Sequence, residues 1–127
     1  MNRPKSKKKV FPSPKPLIVR CRANFSNTMY YALLGVITEV ISDKEKEKIQ
    51  KYNKDPNYKP KPDKLDDAQI AKDIYDKIGT IYPLSTFNVV ILNSAGGDYQ
   101  FSTNKDTTSY LSVSSGDRVF MIFKYKD

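Results

Sequence analysis

The spacing of apolar residues changes once along this chain, near Pro83, and this change limits the folds that are possible. Upstream of Pro83, two stretches repeat apolar residues at the spacing typical of helices that are buried on one face. Downstream, apolar residues alternate with polar ones or form short runs, which is typical of strands. A short β-rich run, Leu17–Cys21, precedes the first helical stretch. The order β-α-α-β-β-β-β separates the helices from an antiparallel sheet and predicts the α+β class.

Two helices are predicted between this run and Pro83. Ser26 has the short hydroxyl side chain favoured at a helix N-cap, and Phe25 before it is placed for a hydrophobic staple. The first helix then presents one apolar face, made of Met29, Leu33, Val36, Ile37, Val40 and Ile41. Asp66 and Asp67 supply N-cap chemistry and first-turn negative charge for the second helix. Its apolar stripe consists of Ile70, Ile74, Ile78 and Ile81.

Four strands are predicted after the helices. Phe87–Asn93 is very apolar on one face and is predicted to be a central strand. A turn at Ala95–Asp98 leads to a strand at Tyr99–Thr103. The chain then forms strands at Tyr110–Val113 and at Arg118–Tyr125, and the last of these is the most hydrophobic.

The net charge of +8, from 22 basic and 14 acidic residues, is concentrated in two segments. Residues 1–16 contain six basic residues, four prolines and no acidic residue, so we expect a disordered basic tail. Residues 49–64 are rich in lysine and proline without periodicity and are predicted to be a flexible insertion between the helices. Residues 17–127 form one predicted domain around that insertion. Without residues 1–16 and 44–64, the net charge of the remaining chain is −2.

The composition excludes several kinds of chemistry. The chain has no histidine, so it offers no Ser-His-Asp or Cys-His relay and no histidine ligand for a metal. Cys21 is the only cysteine, which excludes an internal disulfide and a multi-cysteine zinc site. The longest apolar stretch, Met29–Ile41, is shorter than the ~20 residues that span a bilayer, and the N-terminus lacks the apolar core of a secretory signal. We therefore expect a soluble intracellular protein.

Four short motifs gain specificity from their order and spacing. Residues 23–29, Ala-Asn-Phe-Ser-Asn-Thr-Met, are similar to the strand-to-helix segment A-D-M-S-x-x-M. Residues 70–82 are similar to the helix motif I-A-x-x-I-x-x-x-F-x-x-x-Y, and residues 97–99 are similar to G-S-Y. Gly116 and the apolar strand that ends in Phe123-Lys124 resemble a C-terminal G-Q-V…F-K. With these motifs, residues 17–127 resemble the eight-kilodalton type of dynein light chain, with residues 49–64 as an insertion.

The resemblance implies a non-catalytic homodimer, without metal or cofactor, that acts as a binding hub. In the family, each protomer lends its third strand to the partner's sheet, and the free edge of that strand accepts a short linear peptide as a further antiparallel strand. Main-chain hydrogen bonds then supply affinity and side-chain pockets supply selectivity. Two grooves make the dimer bivalent. The implied partners are the dynein intermediate chain and other linear-motif proteins, and the implied location is the cytoplasmic, microtubule-associated dynein complex.

The same resemblance assigns candidate site residues. The peptide-accepting edge is expected at Gly97, Asp98, Tyr99, Gln100, Phe101, Ser102 and Thr103. Asp67 stands where the family has a groove glutamate that bonds a glutamine of the ligand, and its shorter side chain is expected to weaken that bond or to shift its partner. Ala68 replaces the neighbouring lysine. Further groove positions are Cys21, Arg22, Tyr110 and Ser112. Asn88 and Ser102 replace two dimer-interface histidines, so a histidine-driven pH switch of dimerisation is excluded.

A second function is compatible with the composition. The lysine-rich tail and insertion also fit a small nucleic-acid or polyanion-binding protein, whose affinity would be non-specific and salt-dependent. Against this alternative, the aromatic residues of the predicted strands are not interleaved with lysine or arginine, as they are in sheets that bind nucleic acid.

Overall fold

The computed structural model describes residues 16–59, 63–93 and 105–126. Its elements are, in chain order, β1 (Ile18–Ala23), α1 (Asn27–Lys54), α2 (Asp63–Ile81), β2 (Phe87–Asn93), β3 (Thr107–Ser115) and β4 (Arg118–Tyr125). The four described strands form one antiparallel sheet, which confirms the predicted α+β class. The predicted strand Tyr99–Thr103 and residues 1–15 of the basic tail lie outside the described residues.

The described strands are ordered β1-β3-β4-β2, and each neighbouring pair is antiparallel. β3 and β4 form a hairpin, and Gly116 in its turn has a φ of 60°, a left-handed conformation that glycine adopts without steric cost. β2 pairs with β4 along its whole length and ends with Asn93 opposite Arg118. Within the described sheet β2 has one neighbour and lies at the edge, whereas the sequence pattern predicts a central strand. The apolar residues of β2 lie mainly on its helix-covered face. An apolar pattern along a strand indicates burial and does not indicate how many strands flank it.

Both helices cover one face of the sheet and form the core with it. Fully buried side chains of the helices, such as Leu33 and Ile74, belong to the same cluster as the inward-facing residues of the two central strands. Those strand residues are Leu111, Val113, Phe120 and Ile122. The predicted helix stripes are confirmed for most positions, since Val36, Ile37, Val40, Ile41, Ile70 and Ile78 are also buried. Ile81 is the exception, with 48% of its surface exposed.

Two ion pairs join α1 to α2. Lys44 Nζ lies 3.2 Å from Asp73 Oδ2, and Lys77 Nζ lies 3.0 Å from Glu39 Oε1. Lys44 follows Glu39 in α1, whereas its partner Asp73 precedes Lys77 in α2, so the two helices run antiparallel. Partial burial acts to raise the pKa of Asp73, but hydrogen bonds from Gln69 and Lys44 outweigh it and hold this pKa below its ordinary value.

α1 begins where the sequence predicts and ends later. Ser26 is its N-cap, and the Ser26 Oγ accepts a hydrogen bond of 3.2 Å from the backbone N–H of Met29, which confirms the predicted cap. The helix continues to Lys54, so residues 49–54 of the segment predicted as a loop are helical. Lysine and glutamine are good helix formers, and the first proline of this segment is Pro56. In the described part of the chain, no helix combines the length and the apolarity that crossing a membrane requires.

α2 begins earlier than the sequence predicts. Its first residue is Asp63, so the N-cap predicted at Asp66 and Asp67 is wrong, and both residues lie inside the helix. A helix does not have to begin at a possible capping residue when the residues before it also favour a helix. Asp67 is therefore available for a tertiary contact, described below.

Candidate functional site

The two edge strands of the described sheet differ in how their free edges are built. β1 has a register shift between Val19 and Cys21 and carries the charged residues Arg20 and Arg22. Irregularity and charge of this kind discourage the addition of a further strand. β2 has the sequence Phe-Asn-Val-Val-Ile-Leu-Asn, without charge or proline, and pairs with β4 without a register shift. Within the described sheet, the outer edge of β2 is therefore well suited to pair with another strand.

A cavity of about 470 Å³ lies between α2 and β2. Asp67, Ala68 and Ala71 line it from α2, and Ile91 and Asn93 line it from β2. The two alanines are three residues apart, which places them on one side of the helix, and their short side chains leave space next to the strand. The cavity therefore has apolar walls and a polar end beside the free edge of β2.

Asp67 forms an ion pair with Arg118 at the polar end of this cavity. The Asp67 Oδ1 lies 2.6 Å from the Nε of Arg118, and only 15% of the Asp67 side chain and 21% of the Arg118 side chain are exposed. The contact lacks hydrogen-bond geometry, so Oδ1 is buried without a hydrogen-bond partner among the described residues. The guanidinium thus neutralises the carboxylate but leaves a buried acceptor open.

Arg118 is one of the site residues that the sequence does not predict. In the structure Asp67 contacts Arg118 of β4, whereas its bond to a ligand stays a prediction. Arg118 is the first residue of β4 and lies opposite Asn93 of β2, which also lines the cavity. No local signal in the sequence identifies this contact, because it depends on the register of β4 against β2.

Arg22 lies at the other edge of the sheet and interacts with the start of α1. Its Nη2 donates hydrogen bonds to the Phe25 carbonyl oxygen at 3.0 Å and to Asn27 Oδ1 at 2.7 Å. Its guanidinium carbon also lies 4.0 Å from the centre of the Tyr30 ring, a cation–π contact. Within one chain, Arg22 is therefore not part of the cavity beside Asp67.

Cys21, Tyr110 and Ser112 share the sheet face that points away from the helices, here called the second face. Cys21 lies opposite Ser112 in the register, and its Sγ donates a hydrogen bond of 3.4 Å to the Tyr110 hydroxyl. The hydrogen bond with Cys21, followed by the electrostatic interaction with the same residue, raises the pKa of Tyr110. Ser112 is fully buried. The described groove positions therefore lie in three places in a single chain: Asp67 is beside β2, Arg22 is at the β1 edge near α1, and Cys21, Tyr110 and Ser112 are on the second face.

The second face also contains apolar residues from β2 and β4. Val119 and Met121 are buried but do not belong to the core cluster that the helices form, and Val90 is 39% exposed. An antiparallel sheet that faces water on one side usually carries polar residues there. Val119 and Met121 are apolar instead and are only 3% and 2% exposed, so they do not form a free surface, whereas Val90 is partly exposed.

The predicted dimer-interface residues are only partly described. Asn88 is exposed on β2, and its Nδ2 donates a hydrogen bond of 2.8 Å to the Tyr125 hydroxyl of β4. Ser102 lies outside the described residues, as does the whole predicted peptide-accepting edge from Gly97 to Thr103.

The described residues do not bring three or more cysteine, aspartate or glutamate side chains together in a group that could hold a metal ion. Comparison with protein-family models found no matching family, and comparison with curated proteins found no match either.

Proposed function

We propose that this chain is a non-catalytic light chain of the dynein type, a homodimeric hub that binds extended peptide segments by strand addition. Its proposed partners are the dynein intermediate chain and other linear-motif proteins, and its proposed location is the cytoplasmic, microtubule-associated dynein complex. The dimer forms by exchange of the strand predicted at Tyr99–Thr103. The observation that carries the proposal is the uncharged, regular edge of β2 beside the cavity of α2.

Strand addition at this edge has a simple physical basis. A free strand edge presents unpaired N–H and C=O groups, which an exchanged strand and then a peptide satisfy with main-chain hydrogen bonds. Successive side chains of an added strand point to opposite faces, so every second one is directed toward the helix-covered side. The cavity formed by Ala68, Ala71 and Ile91 offers space for such side chains.

The separation of the predicted groove residues favours a site built from two chains. Asp67 lies on the helix side next to β2, whereas Tyr110 belongs to β3 and points to the second face. β4 lies between β2 and β3, and two strand spacings amount to ~10 Å. A single bound segment contacts both groups only if one group belongs to a second protomer. Strand exchange brings the two groups together in that way.

The connection between β2 and β3 also favours exchange. These two strands follow one another in the described chain but are not neighbours in the sheet, because β4 lies between them. Residues 94–106 connect them, and when fully extended this segment would reach up to ~45 Å. That length is enough to carry the predicted strand to the β2 edge of a second chain.

The ion pairs of the helices limit the polyanion alternative to the lysines of residues 1–16 and 49–64, on which it depends. Several described lysines are paired with acidic residues, namely Lys44, Lys48, Lys72 and Lys77. Paired lysines contribute little to the attraction of a phosphate backbone, which depends on unneutralised positive charge.

Sedimentation equilibrium of the full chain, with and without an intermediate-chain peptide, tests the proposal. We expect twice the chain mass of 14.5 kDa and one peptide bound per protomer. A monomer that does not bind the peptide would contradict the proposal. Preferential binding of an oligonucleotide of equal charge would favour the polyanion alternative.

A matched pair of variants tests which edge is used. Val90→Lys and Val19→Lys place the same charge at valines that are 39% and 37% exposed, on β2 and β1 respectively. A lysine at a strand edge opposes the addition of another strand. We expect Val90→Lys to sediment mainly as a monomer and Val19→Lys to remain a dimer. If both variants behave alike, the assignment of the β2 edge is wrong.

A further inference from the structure

The C-terminal end of α2 borders a second cavity, which leads to an inference about a small ligand. This cavity measures about 280 Å³ and is bordered by the last turns of α2, the connection to β2 and the first residue of β2; it is called the Gly79 slot below. We propose that the Gly79 slot binds a quaternary ammonium group, such as that of a choline-type molecule or of a trimethylated lysine. Gly79 follows Asp67 by twelve residues, which is ~18 Å along the helix, so this inference does not depend on the proposed function.

The shape of the slot comes from one face of α2. Tyr75, Gly79 and Tyr82 follow one another at spacings of four and three residues, so they lie along the same side of the helix. Gly79 has no side chain, and a Cβ atom added to it would meet no atom within 4 Å. The glycine therefore leaves an open gap between two tyrosines. Because pockets for drug-sized ligands begin at ~300 Å³, a slot of about 280 Å³ suits a small group.

Aromatic residues of the slot supply the first attraction for a cation. Tyr75, Tyr82 and Phe87 all line it, and the centres of the Tyr82 and Phe87 rings are 6.1 Å apart. The faces of such rings attract cations, and pockets lined by aromatic residues are the usual sites for quaternary ammonium groups. The cation–π contacts of the described residues involve Tyr30 and Tyr58, so the rings of Tyr75 and Tyr82 are available to a ligand.

The end of the helix supplies the second attraction. Carbonyl oxygens at a helix C-terminus carry a negative partial charge and favour nearby cations. The N–H that would bond the Gly79 carbonyl oxygen within a helix belongs to residue 83, which is a proline and has no N–H. The last turn of α2 contains no basic residue that could neutralise this end. The slot therefore lies at a negative helix end that the helix itself leaves uncompensated.

The remaining charge at the slot decides which cation it favours. Asp76 also lines the slot, but its Oδ2 is paired with Lys72 Nζ at 2.9 Å. A primary ammonium group is strongly hydrated and binds well only where hydrogen-bond partners such as a free carboxylate replace its water. A quaternary ammonium group has no N–H to satisfy, so aromatic rings and the helix end are sufficient for it. The same helix end repels an anion, so we expect a trimethylated lysine to bind more tightly than phosphocholine.

Nuclear magnetic resonance with two probes of the same shape tests the inference. Choline chloride and dimethylbutanol, in which a carbon atom replaces the charged nitrogen, are titrated separately into the full chain. The backbone amide signals of Tyr75, Gly79 and Tyr82 are followed. We expect the dissociation constant of choline to be about tenfold lower than that of the alcohol, because only choline gains from the rings and the helix end. Equal constants, or no response of these signals to choline, would overturn the inference.

A matched pair of glycine substitutions tests the position of the site. Gly79→Leu fills the slot and is expected to abolish the response to choline, while the urea midpoint rises because leucine favours a helix more than glycine does. Gly35→Leu is the control, since Gly35 of α1 also has no atom within 4 Å of an added Cβ but lines neither cavity. The control is expected to raise the urea midpoint and to bind choline like the wild type. A Gly79→Leu variant that binds choline as tightly as the wild type would overturn the inference.

A second pair of variants tests the aromatic contribution and does not depend on Gly79→Leu being folded. Tyr75→Leu keeps an apolar side chain at a residue that is 53% exposed but removes its ring. We expect it to raise the dissociation constant of choline about threefold and to leave that of the alcohol unchanged. Tyr31→Leu, at a residue of α1 that is 67% exposed, is the control and is expected to change neither constant. Equal effects of Tyr75→Leu on both probes would contradict a cation–π contribution and overturn the inference.

Three larger probes then identify the source of the ammonium group. They are phosphocholine and the blocked amino acids trimethyllysine and lysine, each titrated into the full chain in the same way. Tighter binding of trimethyllysine supports the inference with a methylated protein segment as the ligand. Tighter binding of phosphocholine supports it with a lipid headgroup or a free phosphocholine as the ligand. If lysine binds as tightly as trimethyllysine, or if neither quaternary probe binds, the inference is overturned.

Discussion

The ion pair between Asp67 and Arg118 predicts a strong energetic coupling between α2 and β4. The perturbation is a double-mutant cycle of Asp67→Ala, Arg118→Ala and the combined variant. Each single substitution leaves one charge in a largely buried position without its partner, whereas the double substitution leaves none. The cost of the double variant is therefore expected to be well below the sum of the single costs.

The magnitude follows from distance and burial. Two charges 2.6 Å apart attract by ~6 kcal/mol at an effective dielectric constant of about 20, and desolvation cancels part of this energy. Removing one partner of a fully buried pair typically costs ~3–5 kcal/mol. The side chains of Asp67 and Arg118 are 15% and 21% exposed, and the contact lacks a hydrogen bond, which reduces the effect. We expect ~2–3 kcal/mol for each single variant, ~3 kcal/mol for the double variant and a coupling of ~2 kcal/mol.

Urea unfolding followed by circular dichroism at pH 7 measures the four free energies. The pair Lys72–Asp76 on the outer surface of α2 is the matched control, because its atoms are 2.9 Å apart but its side chains are 67% and 56% exposed. Solvent screening is expected to leave that control without measurable coupling. Single costs that add within ~0.5 kcal/mol at Asp67 and Arg118 would refute the reasoning, because additivity means that the two residues do not interact.

Three further predictions concern the fold that positions the site. Ile74→Ala removes three carbon atoms from a fully buried position and is expected to cost ~3 kcal/mol in urea unfolding, whereas Tyr75→Ala, at a residue that is 53% exposed, is expected to change stability little. Ser26→Ala removes the N-cap hydrogen bond of α1 and is expected to cost ~1 kcal/mol, measured as a lower melting temperature. Asp73→Asn is expected to cost under ~1 kcal/mol at pH 7. Because the folded state lowers the pKa of Asp73, its contribution is present above the ordinary value of 3.8 and is lost as the pH falls through the folded-state pKa.

Each of these predictions has an outcome that contradicts it. Equal losses of unfolding free energy for Ile74→Ala and Tyr75→Ala would mean that the face of α2 that contains Ile74 is not the packed one. An unchanged melting temperature for both Ser26→Ala and Ser26→Gly would exclude the N-cap at Ser26. A difference between Asp73→Asn and the wild type that persists undiminished at pH 2 would show that charge is not its cause.

The local features of the fold follow from the sequence because each depends on neighbouring residues. The N-cap at Ser26 needs only a hydroxyl and a backbone N–H three residues later. The stripe containing Leu33 and the stripe containing Ile74 follow from helical periodicity, and both are buried as predicted. The ends of the helices are less well predicted, because residues 49–54 and 63–65 favour helix without an apolar stripe to indicate it.

The candidate site follows from the sequence only in part. Asp67 and Ala68 are assigned through the resemblance to a family, and the structure places both at the cavity. Asn93 and Arg118 escape prediction because they reach the cavity through strand pairing. The position of β2 at the edge of the described sheet is likewise a property of strand order, to which a pattern of apolar residues is insensitive.

The sequence by itself therefore determined the class of fold, the buried helix faces and the cap at Ser26, since periodicity and capping act over a few residues. Only the tertiary structure decided that Arg118 faces Asp67 and that the cavity opens beside an uncharged strand edge. The physical reason is that register and strand order are set by packing between distant segments. The change of one register position would turn the Arg118 side chain to the other face of the sheet and leave Asp67 without its partner.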